Sequence, residues 1–261
     1  MQEYVVRYAI LAFFAFVAEI FDGGIGMGYG VSLTSFLLSI GAGTAVASAS
    51  VHLSEIGTTL ISGVSHWKMG NFDKKIFCFL AIPGILGGIL GAAFSVYFEK
   101  MLLIKPVISA ILLVLGIAII VKFLKKRGSD SGIYKSPRIR QLVPLGFIAA
   151  FVDAIGGGGW GPIATPALVI SDAHPKKTIG SVNFAEFVVT VSISLTFLFT
   201  LKQVDWGIVL PMIVGGFIAA PSAAFITRKI DHKVLGIGVG ILISFLSVRT
   251  ILIALGIGFI F

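Results

Sequence analysis

Two glycine-rich stretches decide the fold of this chain: FDGGIGMGYG at residues 21–30 and VDAIGGGGWGP at residues 152–162. A shift of 131 residues places the second stretch on the first, because Asp153 then falls on Asp22 (153 − 22 = 131) and the spaced glycines that follow coincide. A glycine in a helix interior costs about 1 kcal/mol relative to alanine, so a run this rich in glycine interrupts a regular helix. The two stretches therefore predict a helical chain with two matching breaks.

Composition places the chain in a membrane. Its 261 residues are 57% hydrophobic and only 12% charged, with a mean hydropathy of +1.03, whereas a soluble domain is about 25% charged. The net charge of +8 comes from lysines and arginines in short loops between apolar segments, a pattern that concerns topology and indicates no nucleic-acid partner. We expect an all-α, multi-pass protein of the cytoplasmic (inner) membrane, in contact with the lipid bilayer.

The duplication divides the chain into three predicted parts. They are an N-terminal transmembrane repeat at residues 1–124, a basic cytoplasmic linker at 125–140 and a C-terminal transmembrane repeat at 141–261. The same shift of 131 places Glu186 on Glu55, so the similarity extends well beyond the glycine stretches. Repeats this far apart are whole half-proteins rather than short solenoid units.

The positions of the basic residues predict how the two halves are oriented. If the halves were parallel, with the linker in the cytoplasm, seven Lys and Arg residues would lie outside and twelve inside. If the halves are inverted, four lie outside, fifteen lie inside, and Arg249 remains within the membrane. The positive-inside rule favours the inverted arrangement.

The segments around the second break suggest a re-entrant hairpin. Residues 142–151 and 162–170 are about ten residues each, roughly 15 Å of helix, or half of a bilayer. We expect each half to hold one glycine-broken re-entrant helix pair and about three spanning helices, with both glycine tips near the midplane. Paired breaks in corresponding places of two halves are a sequence indication of a transporter binding site.

With both motifs in view, the chain resembles the sulfite exporter TauE/SafE family of membrane permeases over essentially its whole length. The resemblance implies transport of small sulfur-containing or organic anions, in the class of sulfite, sulfoacetate and sulfonates. The two copies differ at one point, since the first has Gly30-Val31 where the second has Gly161-Pro162.

The substrate is expected at the glycine loops, where backbone N–H groups and helix N-termini can bind an anion. Aromatic walls and nearby polar side chains complete the predicted set. The predicted substrate-binding residues are Gly26, Gly28, Tyr29, Gly30, Ser50, His52, Gly157, Gly158, Gly159, Trp160, Gly161, Ser181 and Asn183. The alternative is that the glycines only permit close helix packing and that His52 is a packed neutral histidine.

Ionisable residues inside the apolar segments are further candidates, because such residues are rare in membranes and usually functional. Glu55 and Glu186 could couple protons or orient the loops, and a purely structural hydrogen bond is an equal alternative. Asp22 and Asp153 are expected to cap the loops by accepting N–H groups. Arg249 could attract the anion or pair with a carboxylate.

Several function classes are disfavoured. The chain has one cysteine, four histidines and no spaced ligand cluster, so no metal site is predicted. No Gly-Lys-Ser/Thr follows the glycines, so ATP hydrolysis is not indicated. We therefore expect neither an enzyme nor a cofactor, but a secondary transporter coupled to protons. The alternatives are an anion channel, or a non-transporting membrane enzyme or assembly protein, and a homo-oligomer is compatible with any of these.

Overall fold

The structure is a computed structural model that describes residues 2–25, 27–101, 104–124, 136–171, 173–201, 204–227 and 232–257. Within these ranges the fold is all-α. The helices are α1 (Gln2–Ile25), α2 (Tyr29–Ser39), α3 (Thr44–Lys68), α4 (Lys74–Phe98), α5 (Ile104–Leu124), α6 (Ile139–Gly156), α7 (Trp160–Ile170), α8 (Pro175–Thr200), α9 (Trp206–Thr227) and α10 (His232–Ala254). The shift of 131 relates α1–α5 to α6–α10 in order.

Five helices in the described part are long and apolar enough to cross a membrane, namely α1, α4, α5, α6 and α8. This confirms the expected class of an all-α integral membrane protein. Helix α3 is equally long at 25 residues, but its many Ser and Thr residues lower its hydropathy. Helices α2 and α7 have 11 residues each, about 16 Å, which is half of a bilayer.

The first arm at each break is longer than the sequence suggested. We expected about ten residues at 142–151, but α6 runs for 18 residues from Ile139 to Gly156, and α1 has 24 residues. Each helix continues into its glycine run, through Gly23 and Gly24 in α1. Flanking apolar residues that pack on neighbouring helices offset the low helix propensity of these glycines.

The two halves are interleaved. Helix α1 packs on α9, and the equivalent contact of the other half is α6 on α4. Helix α3 packs on its own counterpart α8, and α5 packs on its counterpart α10. Because Gly63 faces Phe184 while Gly180 faces His66, α3 and α8 run antiparallel. This is the relation that inverted halves require, and their sidedness in the membrane stays a prediction.

Glycines allow the closest of these contacts. A Cβ on Gly91 of α4 would lie 2.6 Å from the carbonyl oxygen of Phe151 on α6, and one on Gly215 of α9 would overlap the backbone of Ala12 on α1. Such close backbone approach is the packing that small residues permit between membrane helices. The predicted boundaries of the repeats and the linker stay predictions, since residues 125–135 lie outside the described part of the chain.

Candidate functional site

The helical backbone breaks at both glycine stretches. In the first, Gly28 precedes α2 with φ of 129°. In the second, Gly157 and Gly158 separate α6 from α7 with φ of 68° and 156°. These values lie in the region that glycine adopts without steric cost. Gly26, also predicted for this site, lies outside the described residues.

The two glycine loops touch each other, although they belong to different halves. A Cβ on Gly30 would lie 2.7 Å from the Cα of Gly158 and 3.0 Å from the carbonyl oxygen of Gly157. Since real Cβ atoms do not approach other atoms this closely, only glycine fits at this contact. The tertiary structure thus brings together two motifs that are more than a hundred residues apart.

Each loop is followed by a helix whose N-terminus binds an aspartate. Oδ1 of Asp153 accepts the N–H groups of Gly159 at 2.6 Å and Trp160 at 3.2 Å. Oδ1 of Asp22 accepts the N–H of Tyr29 at 3.3 Å. The N-termini of α7 and α2 therefore each carry an anionic group of the chain itself, where the helix dipole favours negative charge.

His52 joins this arrangement from α3 of the first half. Its Nε2 lies 3.1 Å from Oδ2 of Asp153, and its Nδ1 lies 2.8 Å from the carbonyl oxygen of Ser48. A carbonyl oxygen can only accept, so Nδ1 carries a proton, and the contact between Nε2 and the carboxyl group holds another. Oδ1 of the same carboxyl group accepts two N–H groups, so Asp153 links His52 on α3 to the N-terminus of α7.

A small cavity lies where the loops meet. It is lined by the described residues Asp22, Gly28, Gly30, Val31, Glu55, Asp153, Gly158, Gly159, Trp160, Gly161, Pro162 and Glu186. Its volume of about 10 Å³ is enough for about one water molecule. Ten of these residues belong to the sites predicted from the sequence, and Val31 and Pro162 lie in the first turns of the helices that follow the loops.

The cavity is acidic. Glu55 and Glu186 come from the counterpart helices α3 and α8 and are 4% and 7% exposed. Each interacts electrostatically with Asp22 and Asp153. No Lys or Arg lines the cavity among the residues that the structure describes. The described wall of the cavity therefore presents four carboxyl groups and no cationic side chain, while the N–H groups at both helix N-termini already donate to Asp22 and Asp153.

The chain is similar in sequence to a known family of membrane proteins. The sequence model of the family described as "Sulfite exporter TauE/SafE" matches residues 11–250. The chain belongs to the sulfite exporter TauE/SafE family. One relative, the probable membrane transporter protein YtnM of Bacillus subtilis (strain 168), is 43% identical over 250 residues, which cover 94% of this chain and 83% of the relative. No solved structure matched the chain.

Family membership confirms the resemblance inferred from the glycine motifs. It identifies this TauE/SafE protein as a multi-pass membrane transporter.

Other predicted site residues of this TauE/SafE transporter point away from the cavity. The hydroxyl of Tyr29 donates to Oγ of Ser54 at 3.0 Å, and its side chain is fully buried. Oγ of Ser181 accepts the N–H of Asp73 at 2.7 Å, in the connection between α3 and α4. These contacts hold helices and loops together, and neither side chain lines the cavity.

The remaining polar candidates lie on α3 and α8. Nδ2 of Asn183 donates to Oγ of Ser62 at 2.9 Å, so it does not reproduce the contact that its counterpart His52 makes with Asp153. The hydroxyl of Ser50 is buried and has no hydrogen-bond partner among the described residues. Gly157 adjoins the cavity through Gly158, and its carbonyl oxygen accepts from Thr34.

Arg249 binds the opposite end of α2 from the glycine loop. Its guanidinium donates to the carbonyl oxygen of Ser39, the last residue of that helix. With 11 residues in α2, this point is about 16 Å along the helix from the loop. A cation at a helix C-terminus is favourable, and this partner is neither of the two that the sequence suggested for Arg249.

One acidic residue near the site was missed. Glu19 on α1 is 2% exposed and interacts electrostatically with Asp22, Glu55 and Glu186. Comparison of the two halves drew no attention to it, because its counterpart at the shift of 131 is Ala150. Burial of an acid in an apolar helix was the signal that could have found it. In the described part, no group of three His, Cys, Asp or Glu side chains could hold a metal ion.

Proposed function

We propose that this protein is a secondary transporter that moves small sulfur-containing or organic anions, in the class of sulfite, sulfoacetate and sulfonates, across the cytoplasmic membrane together with protons. The observation that carries the proposal is the acidic cavity between the two glycine loops. The proposed anion-binding groups are the backbone N–H groups at the N-termini of α2 and α7, which the anion would take over from Asp22 and Asp153. Glu55 and Glu186 are the proposed proton carriers.

Electrostatics links the anion to protons. Two like charges 4 Å apart repel by about 4 kcal/mol at an effective dielectric constant of 20, and the cavity is lined by four acidic side chains. An anion is therefore bound favourably only when protons neutralise some of these groups. Binding and protonation then depend on one another, which is the thermodynamic basis of coupled transport.

The size of the cavity supports a cycle in which the site opens and closes. A volume of about 10 Å³ has room for about one water molecule, which is less than sulfite needs. The anion can enter only when the two loops separate, and their contact at Gly30 and Gly158 closes again behind it. A site that is too small for the anion in one conformation favours a transporter over a permanently open channel.

Flux measurements test this function directly. Purified protein in sealed proteoliposomes should take up sulfite, thiosulfate, sulfoacetate or a simple carboxylate from the panel in a saturable way, with counterflow and with stimulation by an imposed pH gradient. Ohmic current without saturation would instead indicate a channel. No flux of any anion in the panel would contradict the proposal and favour an enzyme or assembly role.

Glycine variants test the location of the site. Gly28→Val and Gly159→Val should abolish anion binding, because they obstruct close approach to the loop N–H groups. Gly87→Val and Gly215→Val serve as controls, since a Cβ there collides with the backbone of Phe147 and Ala12 in helix contacts; they should lower stability more than affinity. The measurement is the anion-induced thermal shift of monodisperse protein, since ligand at 100 times Kd stabilises by about 2.7 kcal/mol. Unchanged affinity in both loop variants would place the site elsewhere.

A further inference from the structure

Glu19 is a buried acid that lacks the backbone partners of the loop aspartates. It lies on α1, one turn before Asp22, and its side chain is 2% exposed. Its Oε2 atom is buried and has no hydrogen-bond partner among the described residues. The side chain of Thr58 on α3 lies near it, but the Thr58 hydroxyl donates to the carbonyl oxygen of Glu55. The carboxyl group is therefore enclosed without a donor for one of its oxygens.

The ionisable groups around Glu19 are predominantly acidic. Asp22 lies on the same helix, Glu55 on α3 and Glu186 on α8, and all three interact with it electrostatically. Tyr29 faces it from α2. Helix α9, which packs along α1, contains no ionisable residue. On α10 the ionisable side chain that the structure describes is Arg249, which donates to Ser39 instead.

An ionised Glu19 would be an uncompensated charge in this environment. Removing one ion from water into a protein interior costs several kcal/mol when no partner of opposite sign is present, and the neighbouring acids add repulsion. In the closed conformation Glu19 therefore holds a proton. It can release that proton only when the site opens and water reaches α1, so its protonation follows the conformational cycle.

The carboxyl group of Glu19 is present in the first half alone. Glu55 and Glu186 are counterparts, but the counterpart of Glu19 is Ala150 (150 − 19 = 131), so the second half has no equivalent carboxyl group. We propose that Glu19 carries a proton through the transport cycle in addition to Glu55 and Glu186, and thereby sets the number of protons moved with each anion. This inference rests on the proposed proton-coupled transport.

The number of protons moved with each anion tests the proposed role of Glu19. Proteoliposomes accumulate radiolabelled sulfoacetate, or sulfite handled without oxygen, to equilibrium at a series of imposed pH gradients. The slope of the logarithm of the anion accumulation ratio against the pH difference gives the number of protons per anion. Glu19→Gln, which keeps the size of the side chain and removes the ionisable group, should lower the slope by about one proton per anion. Glu99→Gln is the matched control, because Glu99 accepts the N–H of Ala45 at 3.2 Å outside the acidic cluster; its slope should equal that of the wild type.

The outcomes separate the two proposals. If the wild type accumulates no anion in response to the pH gradient, proton-coupled transport is wrong and the role of Glu19 falls with it. If the wild type is coupled and Glu19→Gln has the same slope, only the role of Glu19 is overturned.

A second measurement needs no variant. Dicyclohexylcarbodiimide modifies protonated carboxyl groups in apolar surroundings, and the modified residues can be located by mass spectrometry of the purified wild-type protein. We expect modification at Glu19 as well as at Glu55 and Glu186, and none at Glu99. Modification of Glu55 and Glu186 without Glu19 would contradict the inference, whether or not the Gln variant folds.

Discussion

The two glycine loops share a sequence pattern, but the structure holds them differently. The second loop is fixed by side chains of the first half. Thr34 donates to the carbonyl oxygen of Gly157 at 2.5 Å, Ser48 donates to that of Ala154 at 2.6 Å, and His52 contacts Asp153 at 3.1 Å. These three contacts come from α2 and α3 and bind the end of α6 and the loop that follows it.

Among the residues that the structure describes, the first loop lacks the corresponding contacts from the second half. The counterparts of Thr34, Ser48 and His52 are Thr165, Ile179 and Asn183. The hydroxyl of Thr165 has no hydrogen-bond partner in the described residues, Ile179 has no polar group, and Asn183 binds Ser62.

Duplication has thus copied the positions of the loops without copying the interactions that hold them. We expect the first loop to be the one that moves when the site opens.

The largest expected effect concerns the orientation of the two halves, because an introduced cysteine reacts either from one side of the membrane or from the other. In a Cys78→Ala background, Gln2→Cys should react with an impermeant thiol reagent from outside, and Ser136→Cys only from the cytoplasm, as inverted halves require. Accessibility is measured in intact cells against permeabilised cells. Reaction of both positions from one side would show that the halves are not inverted.

Loss of the buried contact between His52 and Asp153 should have the next largest effect. His52→Asn gives the first half the residue that the second half carries, and it leaves the carboxylate of Asp153 without its histidine partner. A buried polar group that loses its hydrogen-bond partner costs about 1–3 kcal/mol. Asn183→Ala removes one neutral hydrogen bond, worth about 1 kcal/mol. Thermal unfolding of both purified variants measures the difference, and equal destabilisation would mean that the two loops are held alike.

One added methyl group should break the contact between the two glycine loops. Gly158→Ala places a Cβ against the backbone of Gly30 and Val31 at a φ of 156°, and overpacking of this kind costs about 1–3 kcal/mol. Gly156→Ala is the control, because its Cβ would lie 3.9 Å from the nearest atom, on Leu112. We expect loss of transport and a lower melting temperature in the first variant alone. A fully active Gly158→Ala protein would show that the loops need not touch.

Hydrogen exchange compares the two loops without mutation. Asp153 accepts the N–H groups of both Gly159 and Trp160 and is itself held by His52, whereas Asp22 accepts the N–H of Tyr29 alone among the described residues. Exchange follows local opening, so we expect the amide of Tyr29 to exchange about tenfold faster than that of Trp160, equivalent to about 1.4 kcal/mol. Slower exchange at Tyr29 would reverse the assignment of the mobile loop.

The smallest predicted effect separates two counterpart threonines. Thr34→Val removes a hydrogen bond to the second loop and should cost about 1 kcal/mol. Thr165→Val removes a buried hydroxyl without a partner in the described residues, so it should be neutral or slightly stabilising. Melting temperatures decide the matter, and equal shifts in the two variants would remove this part of the difference between the loops.

Much of the fold followed from residue type alone. The apolar segments predicted membrane helices, and the glycines at 26–30 and 156–161 located the breaks within a few residues. The length of α6 could not be predicted, because packing on α4 sustains a helix through residues that have low helix propensity in isolation. Glu19 escaped notice because comparison of the halves favours paired residues, and Ala150 left it unpaired.

By itself, the sequence determined that the chain is helical, spans a membrane, is duplicated and breaks at two glycine stretches, because hydrophobicity and backbone freedom are properties of local residues. Only the tertiary structure decided which polar groups meet. His52 lies one turn from Glu55 in sequence, yet its partner is Asp153, 101 residues away. The physical reason is that the rotation and crossing of packed helices determine the partners of a buried side chain, and a residue's own segment does not specify them.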